Sequence, residues 1–347
     1  MITTYFNLKD EPFRLTPDPR FLHLGSTHGE VLTAVVQAII RRKGFVVVSG
    51  PIGAGKTTLL HAALQIVSQK AVSGAPITSA FIVNPLLAPD EFLETLLLDF
   101  EISCSSTSKP ARLNALHKAF IEAQRRGGTS VLLVDEAHLL SLELFEEIRL
   151  LTNVETYHEK LLQVVLCGQP ELLPLLQLPR LRPLQQRVAV SCELQPLTLP
   201  ETQCYITERL RKAGLQGPIP FTTPSVARIH EFSSGIPRLI NLLCDGCLTA
   251  AYERQRKLID LAIVEDAQSR LDVKGPATIE FQNGLTSNLQ QMEPSVIDET
   301  VSQLGLAVAP VVEFRNAIAS SLQSTVASLN TMDLLIDRMK SRSTTRK

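Results

Sequence analysis

The chain predicts an α/β fold in which a parallel five-stranded sheet carries helices on both faces, followed by a small all-helical domain and a C-terminal amphipathic helix. Three observations carry that expectation. Short apolar runs alternate with helix-prone segments up to about residue 197. The first run, Phe45 to Val48, leads into Gly50-Pro51-Ile52-Gly53-Ala54-Gly55-Lys56-Thr57-Thr58, which matches G-x-x-x-x-G-K-[ST]. A later run, Ser130 to Val134, ends in Asp135-Glu136. Buried parallel strands read as near-continuous apolar stretches, and their C-terminal ends open on a ligand crevice.

The loop at 50–58 has the strand–loop–helix setting its pattern requires, because the helix-prone run Leu59 to Leu64 follows it. Glycines let successive backbone N–H groups point inward, and the helix that follows presents its positive end. Such a cradle takes phosphates. Lys56 would reach the β- and γ-phosphates of ATP, and the Thr57 hydroxyl would ligate Mg²⁺. Asp135 is placed to organise the same Mg²⁺, and Glu136, one residue on, to polarise an attacking water. Asp-Glu pairs on a surface carry no such meaning. Following a buried strand downstream of a phosphate loop, this pair points to hydrolysis. Asp135-Glu136-Ala137-His138 also spells the signature of one helicase class, but Gln185-Gln186-Arg187 does not continue as the arginine-rich motif that class needs.

Composition bounds the rest. The chain has 347 residues, 44 % hydrophobic and 20 % charged, enough for two or three domains with a sizeable core. A formal net charge of −1 gives no overall attraction to nucleic acid, so such contact would need a local patch. No early stretch has a signal-like pattern, and none has the ~18 apolar residues that span a bilayer. The expected location is therefore the cytoplasm, including a peripheral place at the inner face of the membrane. Six scattered cysteines suit a reducing compartment; Cys244-x-x-Cys247 lacks a second ligand pair and reads as helix packing.

In chain order, residues 1–25 alternate aromatics with prolines and are expected to form a stiff strap, across the domain surface, as a wall for an adenine ring, or as both. Ser26 to Glu30 supplies N-cap chemistry for a helix with Val31, Leu32, Val35, Val36, Ile39 and Ile40 on one face, closed by Arg41-Arg42-Lys43 and a C-cap Gly44. Strands are expected at 79–84, 130–134, 162–169 and 188–192, with helices opening at Pro89, within 110–126 and over 142–154. Gln169 ends a strand, where it would sense the γ-phosphate or the water, or simply open a turn before Pro170. The α/β core is taken as 26–197 and a helical lid as 198–272, with helices from Pro200, near 224–232, near 237–253 and over 261–271. Arg238 stands at a helix start, where the dipole disfavours a cation, so a phosphate is its expected partner. Residues 273–305 read as a linker, and 306–347 as an amphipathic helix with a basic tail, either a self- or partner-binding stripe or a helix folded on the core.

These pieces together resemble the AAA+ ATPases. Tyr5-Phe6-x-Leu8, Pro12-Phe13, Pro17-Asp18-Pro19-Arg20-Phe21, Gly168-Gln169-Pro170-Glu171-Leu172 and Gly235-Ile236-Pro237-Arg238-Leu239-Ile240-Asn241 occur in order and are similar to the ExeA/GspA-type ATPases over roughly 1–272. Those ATPases belong to secretion, pilus and exopolysaccharide or exosortase systems. The resemblance implies that Gln169 stands at sensor 1 and Arg238 at sensor 2. It implies that Arg187, or Arg182 as the second candidate, enters a neighbour's site as an arginine finger. It further implies shared active sites, hence a ring or filament, and partners in a secretion or envelope complex. The secretion members carry a membrane span and a peptidoglycan-binding module after the core; neither is visible here, so envelope remodelling by this chain alone is not expected. The related TnsC/TniB transposition ATPases share the core and bind DNA, an alternative the neutral charge does not favour. A third reading is an ATP-gated scaffold without turnover, against which Glu136 argues.

Overall fold

The computed structural model describes residues 1–16, 18–21, 23, 25–70, 76–153 and 160–271. The expected linker and C-terminal amphipathic helix lie outside the described residues. A short helix α1 (Ile2–Tyr5) opens the strap, and α2 (Ser26–Ile40) precedes the sheet. The core then runs β1 (Phe45–Ser49), α3 (Lys56–Lys70), β2 (Ile77–Ile82), α4 (Pro89–Asp99), α5 (Lys109–Arg125), β3 (Thr129–Val134), α6 (Leu142–Leu151), β4 (Leu162–Gly168), α7 (Leu172–Leu176), α8 (Arg182–Gln185) and β5 (Val188–Glu193). Four helices follow: α9 (Leu199–Lys212), α10 (Thr223–Ser233), α11 (Pro237–Glu253) and α12 (Leu261–Arg270).

The five strands form one parallel sheet in the order β2-β3-β4-β1-β5. Strand periodicity sorts the side chains to two faces. Phe45, Val47, Ile82, Leu132, Val134, Val164 and Leu166 pack under α4, α5 and α6 through Phe92, Leu96, Leu116, Phe120, Phe145 and Ile148. Val46, Val48, Val131, Leu133, Val165 and Cys167 face α2 and α3, meeting Val35, Ile39, Leu59 and Ala63. Double coverage explains why β1 and β4 are buried along their length. β5 is an edge strand and alternates half-buried with exposed residues.

The third core belongs to the lid. Ile206, Leu210, Ile229, Leu243, Cys244, Cys247 and Ile263 are buried there, and strap residues Phe6, Leu8, Phe13 and Phe21 are buried among them. Phe13 meets Phe221 edge-on at 6.2 Å. Lys9 and Asp10 donate backbone N–H bonds to Ala213 O at 2.7 and 3.2 Å. The strap is thus fastened to the lid by ring burial and by main-chain bonds. Cys244 and Cys247 are free, buried thiols whose ionisation burial suppresses, Cys247 being pushed up to about 12.

Several local expectations need correction. β2 spans 77–82 and not 79–84, because its ladder with β3 ends at Ile82↔Val134 and Asn84 Oδ1 turns back to accept from Leu86 N at 3.2 Å. α6 stops at Leu151, capped by Thr152. The residue that ends α2 in the left-handed conformation is Arg42 (φ 52°) and not Gly44. Lys43 N bonds to Ala38 O and Arg42 N to Ile39 O, a Schellman arrangement completed one residue before the glycine. At its other end α2 has no cap from its own side chains; the lid supplies one, as described below.

Candidate functional site

The site grows from the C-terminal ends of β1 and β3. Val48 and Ser49 are pinned to Cys167 and Gly168 of β4, so the chain leaves β1 at a fixed height and turns back through Gly53 and Gly55. Both glycines have positive φ, 81° and 95°, which a β-carbon would resist. At Gly53 a β-carbon would also lie 2.8 Å from Arg238 Cβ, whereas at Gly55 it would meet nothing within 4 Å. Gly53 is therefore where the lid backbone touches the loop, and Gly55 faces open space. Arg238 N donates to Gly53 O at 3.2 Å, which fixes the start of α11 on the loop.

Lys56 is buried at 5 % exposure, and its ammonium donates to Gly50 O (2.8 Å) and Pro51 O (3.0 Å). Beside it, Thr57 Oγ1 donates to Asp135 Oδ2 at 2.5 Å, bringing two sequence-distant candidates together. Asp135 Oδ1 accepts from Glu136 N at 2.9 Å. Glu136 is held at φ 48°, a left-handed conformation costly for a residue with a β-carbon, and the turn aims its side chain toward the cleft it lines. Glu136 Oε2 has no hydrogen-bond partner among the described residues. His138 Nδ1 lies 3.4 Å from it, but Nδ1 also accepts from Gln169 N at 3.4 Å, so two lone pairs face one another. Burial is the main cause that lowers the His138 imidazole below its ordinary range, and it keeps the ring neutral.

A cleft of about 220 Å³ gathers these groups. Ile52 to Thr58 and Glu136 form one side, and Pro237, Arg238, Asn241, Tyr205 and strap residues Arg14 to Thr16, Asp18, Phe21 and His23 form the other. Of the remaining candidates, Gly50 and Pro51 serve through carbonyls that hold Lys56. Gln169 is not among the residues lining the cleft; its carbonyl accepts from Leu172 N at 2.9 Å and opens the turn into α7. Arg187 is also away from the cleft. Its Nη1 donates to Thr152 Oγ1 at 3.2 Å and Arg149 O at 3.5 Å, at the negative end of α6. Arg182 is exposed at the start of α8.

Other participants lie outside the nucleotide motifs. His28 is buried and its Nε2 donates to Ala54 O at 2.9 Å, bracing the loop from behind. Glu201 Oε1 accepts from Ser26 N (2.9 Å) and Ser26 Oγ (2.7 Å), while its Oε2 accepts from Thr198 N and Thr198 Oγ1. One lid carboxylate thus caps α9 and α2 together. The bond from Thr198 N, then that from the Ser26 hydroxyl, holds its carboxyl down at about 2. Arg209, buried in the lid, donates to Pro12 O (2.5 Å), to Tyr205 Oη (2.9 Å) and to Arg14 O (3.5 Å), and lies over the Phe21 ring at 5.0 Å. It clasps the strap to the lid. The signals lay in Glu201 within a Thr-x-x-Glu capping box and in an arginine on an otherwise apolar helix face.

The donor set fits a magnesium nucleotide. The loop presents a glycine-lined, β-carbon-free cradle with a buried ammonium, and a hydroxyl and a carboxylate converge beside it. Among the described residues no cluster of three His, Cys, Asp or Glu side chains forms a stand-alone metal site, so a metal here would depend on phosphate oxygens for the rest of its shell.

Comparison with known proteins agrees with this construction. Residues 39–176 match the family model described as an AAA domain. General secretion pathway protein A of Aeromonas hydrophila is 38 % identical over 255 residues, covering 73 % of this chain and 45 % of that protein. The chain therefore spans less than half the length of that curated relative. Among solved structures, the Aeropyrum pernix ORC2 protein in its ADPNP–ADP complexes is similar with a TM-score of 0.58 at 16 % identity, over 76 % of this chain and 74 % of that one. Drosophila ORC bound to DNA gives a TM-score of 0.59 at 18 % identity, over 81 % and 67 %. At such identities the likeness is one of fold. Residues 39–176 are thus an AAA domain of the P-loop class, in a chain that is similar over 255 residues to general secretion pathway protein A.

Proposed function

We propose that this protein binds Mg²⁺-ATP in the cleft between the phosphate loop, lid and strap, hydrolyses it, and uses the cycle to assemble or operate a secretion or envelope machine at the inner face of the membrane. The observation that carries the reading is the Thr57 Oγ1–Asp135 Oδ2 contact of 2.5 Å, with Glu136 lining the same cleft as Lys56 and Arg238. Bound metal would neutralise charge on the phosphates, with Thr57 and Asp135 as its protein ligands. Lys56 would leave the carbonyls of Gly50 and Pro51 for phosphate oxygens. The Gly53 to Thr58 backbone would cradle them, and Arg238 would bring the lid's charge to the γ end. Glu136, with one oxygen unpartnered, would orient and deprotonate the attacking water. Arg187 would act on a neighbouring subunit, which requires a ring or filament.

Kinship with a secretion-pathway protein supports the biological setting. Among the described residues no helix is long and apolar enough to cross a membrane. The test is Glu136→Gln. It should bind ATP with wild-type affinity and release phosphate at least a hundredfold more slowly; wild-type turnover in that variant would overturn the assignment of the water-activating base.

A further inference from the structure

The nucleotide cleft occupies the C-terminal ends of the strands, and the opposite edge of the sheet carries cations that hydrolysis does not use. β3, β4 and β1 are neighbours in the sheet, so their starts lie side by side. Arg41, Arg42 and Lys43 close α2 ahead of β1, Arg125 and Arg126 close α5 ahead of β3, and Lys160 precedes β4. Side-chain contacts draw these turns together. Arg42 Nη2 donates to Gly127 O at 3.0 Å and to Gly128 O at 2.8 Å. The Lys160 stem lies on Gly44, where a β-carbon would stand 3.3 Å from Lys160 Cγ. Arg126 pairs with Glu122. Arg41, Lys43 and Arg125 are exposed and have no side-chain hydrogen bond or ion pair among the described residues. Even with Glu155 and Glu159, which precede Lys160 in the sequence, counted against them along with Glu122, the cations remain in excess.

The dipole of each helix accounts for a cation at its C-terminal end. It does not account for Ile40. That side chain is 43 % exposed and directly precedes the three cations of the α2 turn. An apolar side chain set among cations suits an anionic surface with acyl chains beneath its charges. A phosphodiester backbone offers it no burial. We propose that this edge of the sheet docks on an anionic lipid bilayer, with Arg41, Lys43 and Arg125 against the headgroup phosphates and Ile40 entering the layer beneath them. The proposal deepens the reading that this protein works at the inner face of the membrane, and rests on it. Because the strands are parallel, docking by this edge turns the nucleotide cleft away from the bilayer.

The experiment measures co-sedimentation of the full chain with phosphatidylcholine vesicles and with vesicles in which roughly a third of the lipid is phosphatidylglycerol. The wild type should bind only the second kind, and more weakly as salt rises. The triple variant Arg41→Gln, Lys43→Gln, Arg125→Gln should bind about a hundredfold more weakly, since each cation near such a surface is worth about fivefold. Ile40→Ser should lose about fivefold, and that ratio should hold as salt rises, as a charge effect would not. All four side chains are exposed, so both variants should melt as the wild type does. A wild type indifferent to phosphatidylglycerol overturns the proposal. So does a triple variant that binds as the wild type does, which would leave membrane attachment to another surface. Binding of duplex DNA in place of vesicles, lost in the triple variant and kept in Ile40→Ser, assigns the edge to nucleic acid and overturns it as well. Phosphate release is read separately; its absence from the wild type would overturn the hydrolysis reading and leave the vesicle result standing.

Discussion

Glu201 of the first lid helix and Ser26 of the first core helix are bonded twice, through the Ser26 N–H at 2.9 Å and the Ser26 hydroxyl at 2.7 Å. α2 has no cap of its own, so the positive end of a core helix is satisfied by a charge that belongs to the lid. Lid position and core stability are coupled through a single carboxylate. Glu201→Ala should cost about 1–2 kcal/mol in urea unfolding, as loss of a shared cap does. The coupling also predicts a pH window. The folded carboxyl sits at about 2 against an ordinary 4.5, so its contribution is whole above pH 4.5 and is lost as pH falls toward 2. The wild-type advantage over Glu201→Gln should therefore shrink across that window; a difference that stays constant would assign the effect to shape and not charge.

Gly235 tests the junction of lid and core from the other side. It has φ 74°, its carbonyl accepts from Leu197 N at 2.9 Å, and a β-carbon on it would stand 2.0 Å from Leu197 O. No rotamer relieves a clash between β-carbon and backbone. Gly235→Ala should destabilise the fold by more than about 2 kcal/mol. Gly217→Ala, where nothing lies within 4 Å, should change stability by less than about 0.5 kcal/mol. Equal melting of the two variants would show that the Gly235–Leu197 junction tolerates displacement.

Thr57 separates metal from phosphate. Thr57→Val removes the hydroxyl that reaches Asp135 and keeps the side-chain volume. Binding of ATP with Mg²⁺ should weaken roughly tenfold to a hundredfold, while binding in excess EDTA should match the wild type. Equal weakening in both conditions would place the role of Thr57 in loop structure.

Much of this architecture was legible in the residues. Phe45–Val48 and Ser130–Val134 are buried on both faces, so their apolar runs could belong only to central parallel strands. The lid helices showed their period because each buries one stripe. The bonds that join the parts were not legible. Glu201 lies 175 residues from Ser26, and its capping box with Thr198 already accounts for it locally. Gly44 looks like a helix stop, yet Arg42 takes the left-handed turn first because Gly44 is held on β4, its N–H donating to Gln163 Oε1 and its carbonyl accepting from Val164 N. The burial of Phe6 and Phe13 in the lid depends on main-chain bonds at Ala213 that no local pattern announces.

Arg187 and Arg182 make different predictions because, among the described residues, only the first has side-chain partners within its own subunit. Arg187→Ala should cost about 0.5–1 kcal/mol by uncapping α6, and Arg182→Ala should not alter melting. If Arg187 also acts in trans, mixing inactive Arg187→Ala with inactive Lys56→Ala should restore turnover, since each lacks what the other carries. Absence of recovery with Arg187, together with recovery for Arg182→Ala, would move the finger to Arg182.

His138 gives the pH dependence of turnover. Its Nδ1 lone pair now faces Glu136 Oε2 at 3.4 Å, a contact in which the ring does not bond the carboxylate. Burial lowers the imidazole below 6.5, against the pull of Glu136, Glu171 and Asp135, while Lys56 opposes protonation as well. Because the folded value is the lower one, the ring's contribution to stability is present above pH 6.5 and lost as pH falls below it. Protonation would put a donor on Nδ1, break the bond from Gln169 N, and clamp Glu136 in an ion pair. One pH unit below the folded value, about nine sites in ten carry the proton, so turnover should fall roughly tenfold. His138→Asn cannot acquire that charge, and its acid limb should flatten while ATP affinity stays constant. An acid limb identical in both proteins would place the titrating group elsewhere, with Glu136 the first candidate.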